Sequence, residues 1–277
     1  MTGELSAGAR PAATVVLVRD GSDGVQTCVL RRHDRSSFVA GAHVFAGGAL
    51  DPDDLVGARC VHGLDDGAAS ALTGVDSGGL AFWMAAVRES FEETGVVPAV
   101  PATAAQLDAL GQWRPEVHAG RRSMAAALES AGLAIDGRAL RCFARWVTPV
   151  GAPRRYDTRF FVARMPEGQV VAEDGSELVE HEWVRPADAL GRHRAGELVL
   201  IMPTVRTLVA LSRFPTADAA VAGLSFGAPS TPLLVEVVER DGARLLLLAS
   251  DPEGNGGLYD GDTAMPVDPG GAGVSRP

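Results

Sequence analysis

The spacing of apolar residues changes period along this chain, and each period predicts a different element. Near the start, "ATVVLVRDGSDGVQTCVLRRH" holds two valine-rich runs around Asp20-Gly21-Ser22-Asp23-Gly24, which predicts two strands joined by a turn. "AHVFAGGALDPDD" predicts a short strand entering a Gly-Gly turn. From Leu55 to Gly79 the residues are mainly Gly, Asp, Ser and Ala, the composition of an irregular insertion. Leu80, Met84, Val87 and Phe91 then recur at i, i+4, i+7 and i+11, the apolar stripe of a helix that Gly95 and Pro98 stop. Helical patterns follow over 104–110 and 122–133, and then the strand-like runs "LRCFARWVTP", "TRFFVARMP" and "HEWVRP". Two more helices are predicted over 187–194 and 204–214, and a hairpin from "PLLVEVVE" and "RLLLLAS" turning at Asp241-Gly242. The Gly-, Asp- and Pro-rich residues 251–277 predict a loose tail, and residues 1–10 a flexible start.

Within "AAVRESFEETGVVP" the helix carries Glu89, Glu92 and Glu93 on the side opposite its apolar stripe. Carboxylates three and four positions apart repel on a helix surface, so something positive is expected among them. A divalent cation meets that need. E-x-x-E-E alone is most often a solvated face; the flanking Arg88, Gly95 and Val96, the upstream Gly-Gly turn and the opposing stripe favour a site.

Those residues resemble the Nudix box, G-x5-E-x7-R-E-U-x-E-E-x-G-U with U aliphatic. Arg88, Glu89, Glu92, Glu93, Gly95 and Val96 match, Ser90 stands at an aliphatic position, and "VFAGG" resembles the opening turn with Ala46 in place of proline. Arg88 follows Gly48 by 40 positions where the pattern has 14, so 26 residues are inserted. Counted back from Arg88, the first glutamate falls on Leu80; counted forward from Gly48, it falls on Asp54, and the choice stays open. The resemblance implies an α/β fold, a Nudix-type α/β/α sandwich with a mixed sheet over residues 11–190, interrupted by the insertion 49–79. A helical and β-hairpin extension, 191–250, packs on it.

The resemblance also implies the chemistry. Mg²⁺ or Mn²⁺ is held by the Gly48 carbonyl and by Glu89, Glu92 and Glu93, hard oxygen donors suited to such ions; Arg88 orients the carboxylates. Glu177, in the loop before "HEW", is the candidate auxiliary base or ligand, and Arg32, Arg154 and Arg155 are candidate phosphate contacts. The long insertion, the "RRHDRSSFVAGAHVFAGG" approach and the C-terminal region resemble the branch of coenzyme A diphosphatases and their bacterial relatives. That implies hydrolysis of coenzyme A, or an acyl derivative, to 3′,5′-ADP and 4′-phosphopantetheine. Relatives also pair into homodimers, although no interface is legible here. Two rivals stand: the same core acting on ADP-ribose, a dinucleotide or a nucleoside triphosphate, and a non-catalytic binding module, which Leu80 in place of glutamate keeps open.

Bulk composition narrows the partners. With 277 residues, 46% hydrophobic and 22% charged, the chain has material for a sizeable core. A net charge of −10 without a basic stripe argues against nucleic acid, and no apolar run predicts a membrane span. Three cysteines at unrelated spacings suggest neither a disulfide framework nor zinc, and a reducing cytoplasm is expected. "GLSFG" fits the serine-hydrolase elbow, but no histidine follows it in the chain, so it is read as a chance turn.

Overall fold

The computed structural model describes residues 7–34, 40–173, 175, 178–240, 242–248, 258–261 and 264–265. The early valine-rich runs form β1 (Arg10–Gly21) and β2 (Gly24–Arg32), antiparallel from Val18↔Thr27 to Gly21↔Gly24. Strand β1 organises the sheet. One of its edges pairs in parallel with β8 (Tyr156–Arg164). The other edge is divided: its first half takes β4 (Ala46–Ala49), with Ala13 opposite Gly48, and its second half takes β2. The far edge of β2 takes β9 (Leu178–Val184), while β3 (His43–Val44) pairs with Leu30 and Arg31 on the edge that β1 uses further back along β2. Outward from β8 lie β7 (Arg141–Val147) and then β10 (Leu233–Arg240), which joins in parallel through only Leu233↔Trp146 and Leu234↔Val147.

Alternation along β1 assigns its side chains to two cores. Ala13, Val15 and Leu17 face the layer built on α3 (Leu80–Thr94), while Val16 and Val18 face α7 (Pro186–Arg194), α8 (Met202–Leu211) and α9 (Ala217–Gly223). The expected α/β/α layering is therefore present. Trp83 of α3 meets Phe161 edge-on at 4.9 Å, and its indole N–H donates to the carbonyls of Gly137 and Leu140 at 2.9 and 3.0 Å. Between α3 and β7 the helical patterns form α4 (Ala104–Gly111), α5 (Arg114–His118) and α6 (Met124–Ser130). Strands β5 (Val61–His62) and β6 (Ile135–Asp136) form a separate parallel pair.

The irregular insertion expected over 55–79 is instead largely helical. It holds α1 (Pro52–Gly57), a single 3-10 turn over 58–60, and α2 (Asp66–Thr73). Such short helices lie below the length at which helix propensity sustains itself, so apolar periodicity could not mark them; caps and packing hold them. Asp65 caps α2 by accepting from the Ala68 N–H at 2.9 Å, and Gly74, at φ 69°, ends it.

Helix α2 in turn caps α3, whose N-cap residue Gly79 has no side chain to do so. Asp66 accepts from the N–H groups of Gly78 and Leu80 at 2.8 and 3.1 Å, and the Ser70 hydroxyl accepts from the Gly79 N–H at 3.0 Å. The approach is so close that a Cβ on Gly79 would lie 2.2 Å from the Ser70 nitrogen. Arg159 on β8 fastens the other end of α2, donating twice to the Thr73 carbonyl at 2.9 and 2.7 Å while its guanidinium covers the Phe82 ring at 4.4 Å.

The C-terminal hairpin forms as expected, with Arg240 opposite Ala243 in β10 and β11 (Ala243–Leu248); Asp241 of its turn lies outside the described residues. The tail is not wholly loose. Strand β12 (Leu258–Asp260) pairs with β11, and Tyr259 is buried, a single aromatic anchor within a Gly- and Asp-rich run. Among the described residues no helix is long and apolar enough to cross a membrane.

Asp66→Ala is expected to lower stability by about 1 kcal/mol, the ordinary value of a helix cap, and Tm by about 2–4 °C. Gly79→Ala is expected to cost more, because the backbone of α2 must move. Thermal and denaturant melts of the two variants check both values; a neutral Gly79→Ala would show that α2 does not press on α3.

Candidate active site

Helix α3 brings the acids to the divided edge of β1. They do not emerge onto open solvent. Strand β4 and helix α1 cover that face, leaving Arg88, Glu89 and Glu93 only 8–9% exposed. The side chain of Glu89 lies directly against Gly48: a Cβ there would stand 2.5 and 2.6 Å from its two carboxylate oxygens, so only glycine fits beneath it. Glu93 accepts from the Gly47 N–H at 2.9 Å. The glycine turn and the helix acids, 41 residues apart from Gly48 to Glu89, thus lie together.

Arg88 is the hub. Its Nε and Nη2 donate to the two oxygens of Asp54, both at 3.0 Å, and Nη2 also donates to the Ala49 carbonyl at 2.9 Å. Its Nη1 donates to Glu89 at 2.8 Å and to Glu92 at 3.3 Å. All five N–H groups of the guanidinium therefore have acceptors. The forward count from Gly48 is the one the fold realises, since Asp54 grips the arginine in a planar, bidentate pair. The same carboxylate accepts from the Asp51 N–H at 2.8 Å at the start of α1. Leu80, the position given by the backward count, is 8% exposed and belongs to the apolar core.

One guanidinium meets Asp54, Glu89 and Glu92, and burial governs the protonation of the two glutamates. Burial raises the Glu89 carboxyl to about 7; the charge of Arg88 opposes the rise, and the charges of Glu92 and Asp54 add to it. Burial also raises Glu92, against the pull of Arg88. For Arg88 burial alone works downward, but the hydrogen bond to Asp54 and the surrounding carboxylates outweigh it and hold the cation firmly charged.

The acids line one end of a cleft of about 620 Å³. Arg32 and Arg154 line it too, together with His118 at the end of α5, near Glu92. The sequence did not mark His118, because nothing local distinguishes it. The adjacent Arg155 does not line the cleft. It donates to the backbone carbonyls of Thr148 and Ala7 at 3.1 and 2.6 Å, tying β8 to the chain start. Glu177 lies outside the described residues. Its described neighbours are engaged elsewhere: Glu180 pairs with Arg31 at 3.2 Å, and Glu173 pairs with His181 at 2.5 Å. The far wall comes from positions no local pattern marked, among them Trp146, Met202 and Val235.

Among the described residues no three histidine, cysteine, aspartate or glutamate side chains converge as a ready-made metal cage. The donor set is nonetheless all oxygen and faces a cleft, which suits a hard divalent cation. Residues that now satisfy each other through Arg88 and the Gly47 N–H are the ones such an ion would share.

Residues 67–211, just over half the chain, match the family described as NUDT19 Nudix domain. The chain is 29% identical over 231 residues to acyl-coenzyme A diphosphatase NUDT19 of Gallus gallus, an alignment covering 67% of this chain and 60% of that one. It is 28% identical to the Homo sapiens protein of the same name, covering 70% and 62% respectively, so it spans about three fifths of these relatives. Among solved structures, a NUDIX hydrolase from Alicyclobacillus acidocaldarius is 31% identical with a TM-score of 0.65, covering 79% of this chain and 98% of that one. Both the described fold and these matches place the chain in one group: it belongs to the Nudix family, with the NUDT19 Nudix domains.

Proposed function

We propose that the chain hydrolyses the diphosphate bond of coenzyme A or an acyl-coenzyme A, with Mg²⁺ or Mn²⁺ as cofactor. The observation that carries this reading is the packing of Glu89, Glu92 and Glu93 around the Gly47-Gly48 turn, at the end of a cleft large enough for a substrate. The names of the curated relatives support the choice of substrate. The free thiols Cys28, Cys60 and Cys142 support the cytoplasmic setting expected from the sequence.

In this reading the Gly48 carbonyl, Glu89, Glu92 and Glu93 hold the ion. A bound divalent cation polarises phosphoryl oxygens and lowers the pKa of water. Arg88 keeps Glu89 and Glu92 in place while Asp54 fixes Arg88, and the Gly47 N–H steadies Glu93. Arg32 and Arg154 meet the outer phosphate oxygens with guanidinium donors. Water adds across the anhydride: one phosphorus gains an oxygen from water, the bond to the bridging oxygen breaks, and that oxygen leaves on the other phosphate.

Glu93→Gln is expected to lower Mg²⁺-dependent turnover of coenzyme A by at least about 100-fold, measured by mass identification of 3′,5′-ADP and 4′-phosphopantetheine. Equal turnover by both proteins would remove the mechanism.

Asp54→Ala leaves a buried guanidinium without its main partner. A loss of about 3–5 kcal/mol in stability is expected, with metal affinity weakened about 10–100-fold in calorimetric titration. Unchanged metal affinity would reduce Asp54 to a purely structural role.

With Glu89 at about 7 when folded and 4.5 when unfolded, the metal-free native state keeps a proton that the unfolded chain has already lost. Its stability therefore falls as pH rises from 4.5 to about 7 and then levels. Metal binding needs the carboxylate, so the rise in Tm given by Mg²⁺ is expected to grow across that same window. A Mg²⁺ increment independent of pH in thermal melts would contradict this.

A further inference from the structure

Helix α3 ends against the direction of its own electrostatics. Its last turn carries Glu92 and Glu93, and the aligned peptide dipoles gather partial negative charge at that same end. No basic side chain of α3 lies in that turn. The missing cation comes from another helix. Arg114, the first residue of α5, donates from Nε to the Glu92 carbonyl at 3.1 Å. Its guanidinium lies over the helix end, since a Cβ on Gly95, the residue that closes α3, would stand 3.2 Å from Nη1.

The same guanidinium reaches a second segment. Nη2 donates at 2.7 Å to the carbonyl of Ala172, in the stretch 165–173 that follows β8. That stretch is also tied to the end of α3 directly: the Ala172 N–H donates to the Thr94 carbonyl at 2.8 Å, and the Gln169 side chain accepts from the Val97 N–H at 2.9 Å. With the Gly95 N–H on the Phe91 carbonyl at 2.9 Å and the Thr94 hydroxyl on that of Ser90 at 2.6 Å, the carbonyls of Ser90, Phe91, Glu92 and Thr94 all have donors. Arg114 is itself anchored. Val117, in the same short helix, is buried in the core beneath α3, and Trp113, just before it, is covered by the Arg122 guanidinium at 3.8 Å.

Resting on the metal-dependent reading above, we infer that Arg114 is a positioning residue: it keeps the final turn of α3 wound and fixed to the stretch after β8, so that Glu92 and Glu93 hold their places beside Gly47 and Gly48. Arg114 does not line the cleft, so it acts through the backbone. Arg88 meets the carboxylate of Glu92 and Arg114 its carbonyl, so two arginines fix one residue at its two ends.

The test uses the full chain. Arg114→Met keeps the length of the side chain and removes its charge and donors, Arg114→Lys keeps the charge, and Arg121→Met breaks only an exposed pair with Glu116 on α5. At a temperature where melts show it folded, Arg114→Met is expected to weaken Mg²⁺ affinity about tenfold in calorimetry. It is expected to lower kcat for coenzyme A by about tenfold as well, with KM moved less than about twofold. Arg114→Lys is expected to stay within about threefold of wild type, and Arg121→Met to match it. Hydrogen exchange at the Gly95, Val97 and Ala172 amides is expected to quicken about tenfold in Arg114→Met, as a locally loosened turn requires. Unchanged Mg²⁺ affinity or unchanged exchange in folded Arg114→Met overturns the inference, and so do equal losses in Arg121→Met. If Arg114→Met does not fold, Gln169→Ala unties the same stretch from Val97 alone and is expected to give about threefold effects on Mg²⁺ affinity and exchange; no effect there overturns the inference. Wild type that neither binds Mg²⁺ nor cleaves coenzyme A removes the functional reading, while quickened exchange at those amides still shows the clamp on α3.

Discussion

The guanidinium of Arg88 ties together three parts of the chain that are distant in sequence. It reaches the carbonyl of Ala49 on β4, the carboxylate of Asp54 on α1, and Glu89 and Glu92 on its own helix. A buried cation is costly unless its donors are all used, and here they are. Asp54, Glu89 and Glu92 all meet this one guanidinium, and Glu93 accepts from the Gly47 amide, so backbone and arginine together hold the four carboxylates at one place.

The glycine turn matters for the same reason. β4 pairs with β1 through Ala12↔Ala49 to Val15↔Ala46, so Gly47 and Gly48 sit in a sheet rather than a free loop. The missing side chain at Gly48 lets Glu89 lie against the backbone, and the backbone then offers both an N–H, at Gly47, and a carbonyl to the site. The division of β1's edge between β4 and β2 is what opens the sheet at this point.

The sequence showed the parts of this arrangement that are local. The stripe Leu80, Met84, Val87 and Phe91 marked α3, the acids on its other face marked the site, and valine-rich runs marked β1 and β2. It could not show what depends on long-range contact. The helices of the insertion are too short and too rich in Gly and Ala to register as periodic. Asp54 was visible only as one of two counts, and the fold chose between them through a hydrogen bond spanning 34 residues. Of the adjacent Arg154 and Arg155, only the first lines the cleft, because the second is drawn to the Thr148 carbonyl across the β7–β8 turn. The far wall of the cleft comes from strands and a helix that meet only when the sheet assembles.

The capping of α3 by Asp66 and Ser70 bears on what the interrupted box requires. Excising residues to restore contiguous spacing after Asp54 would retain the arginine's partner yet strip the first turn of α3 of the acceptors for its Gly78, Gly79 and Leu80 amides. The inserted segment thus supplies the cap on which the helix that follows it relies.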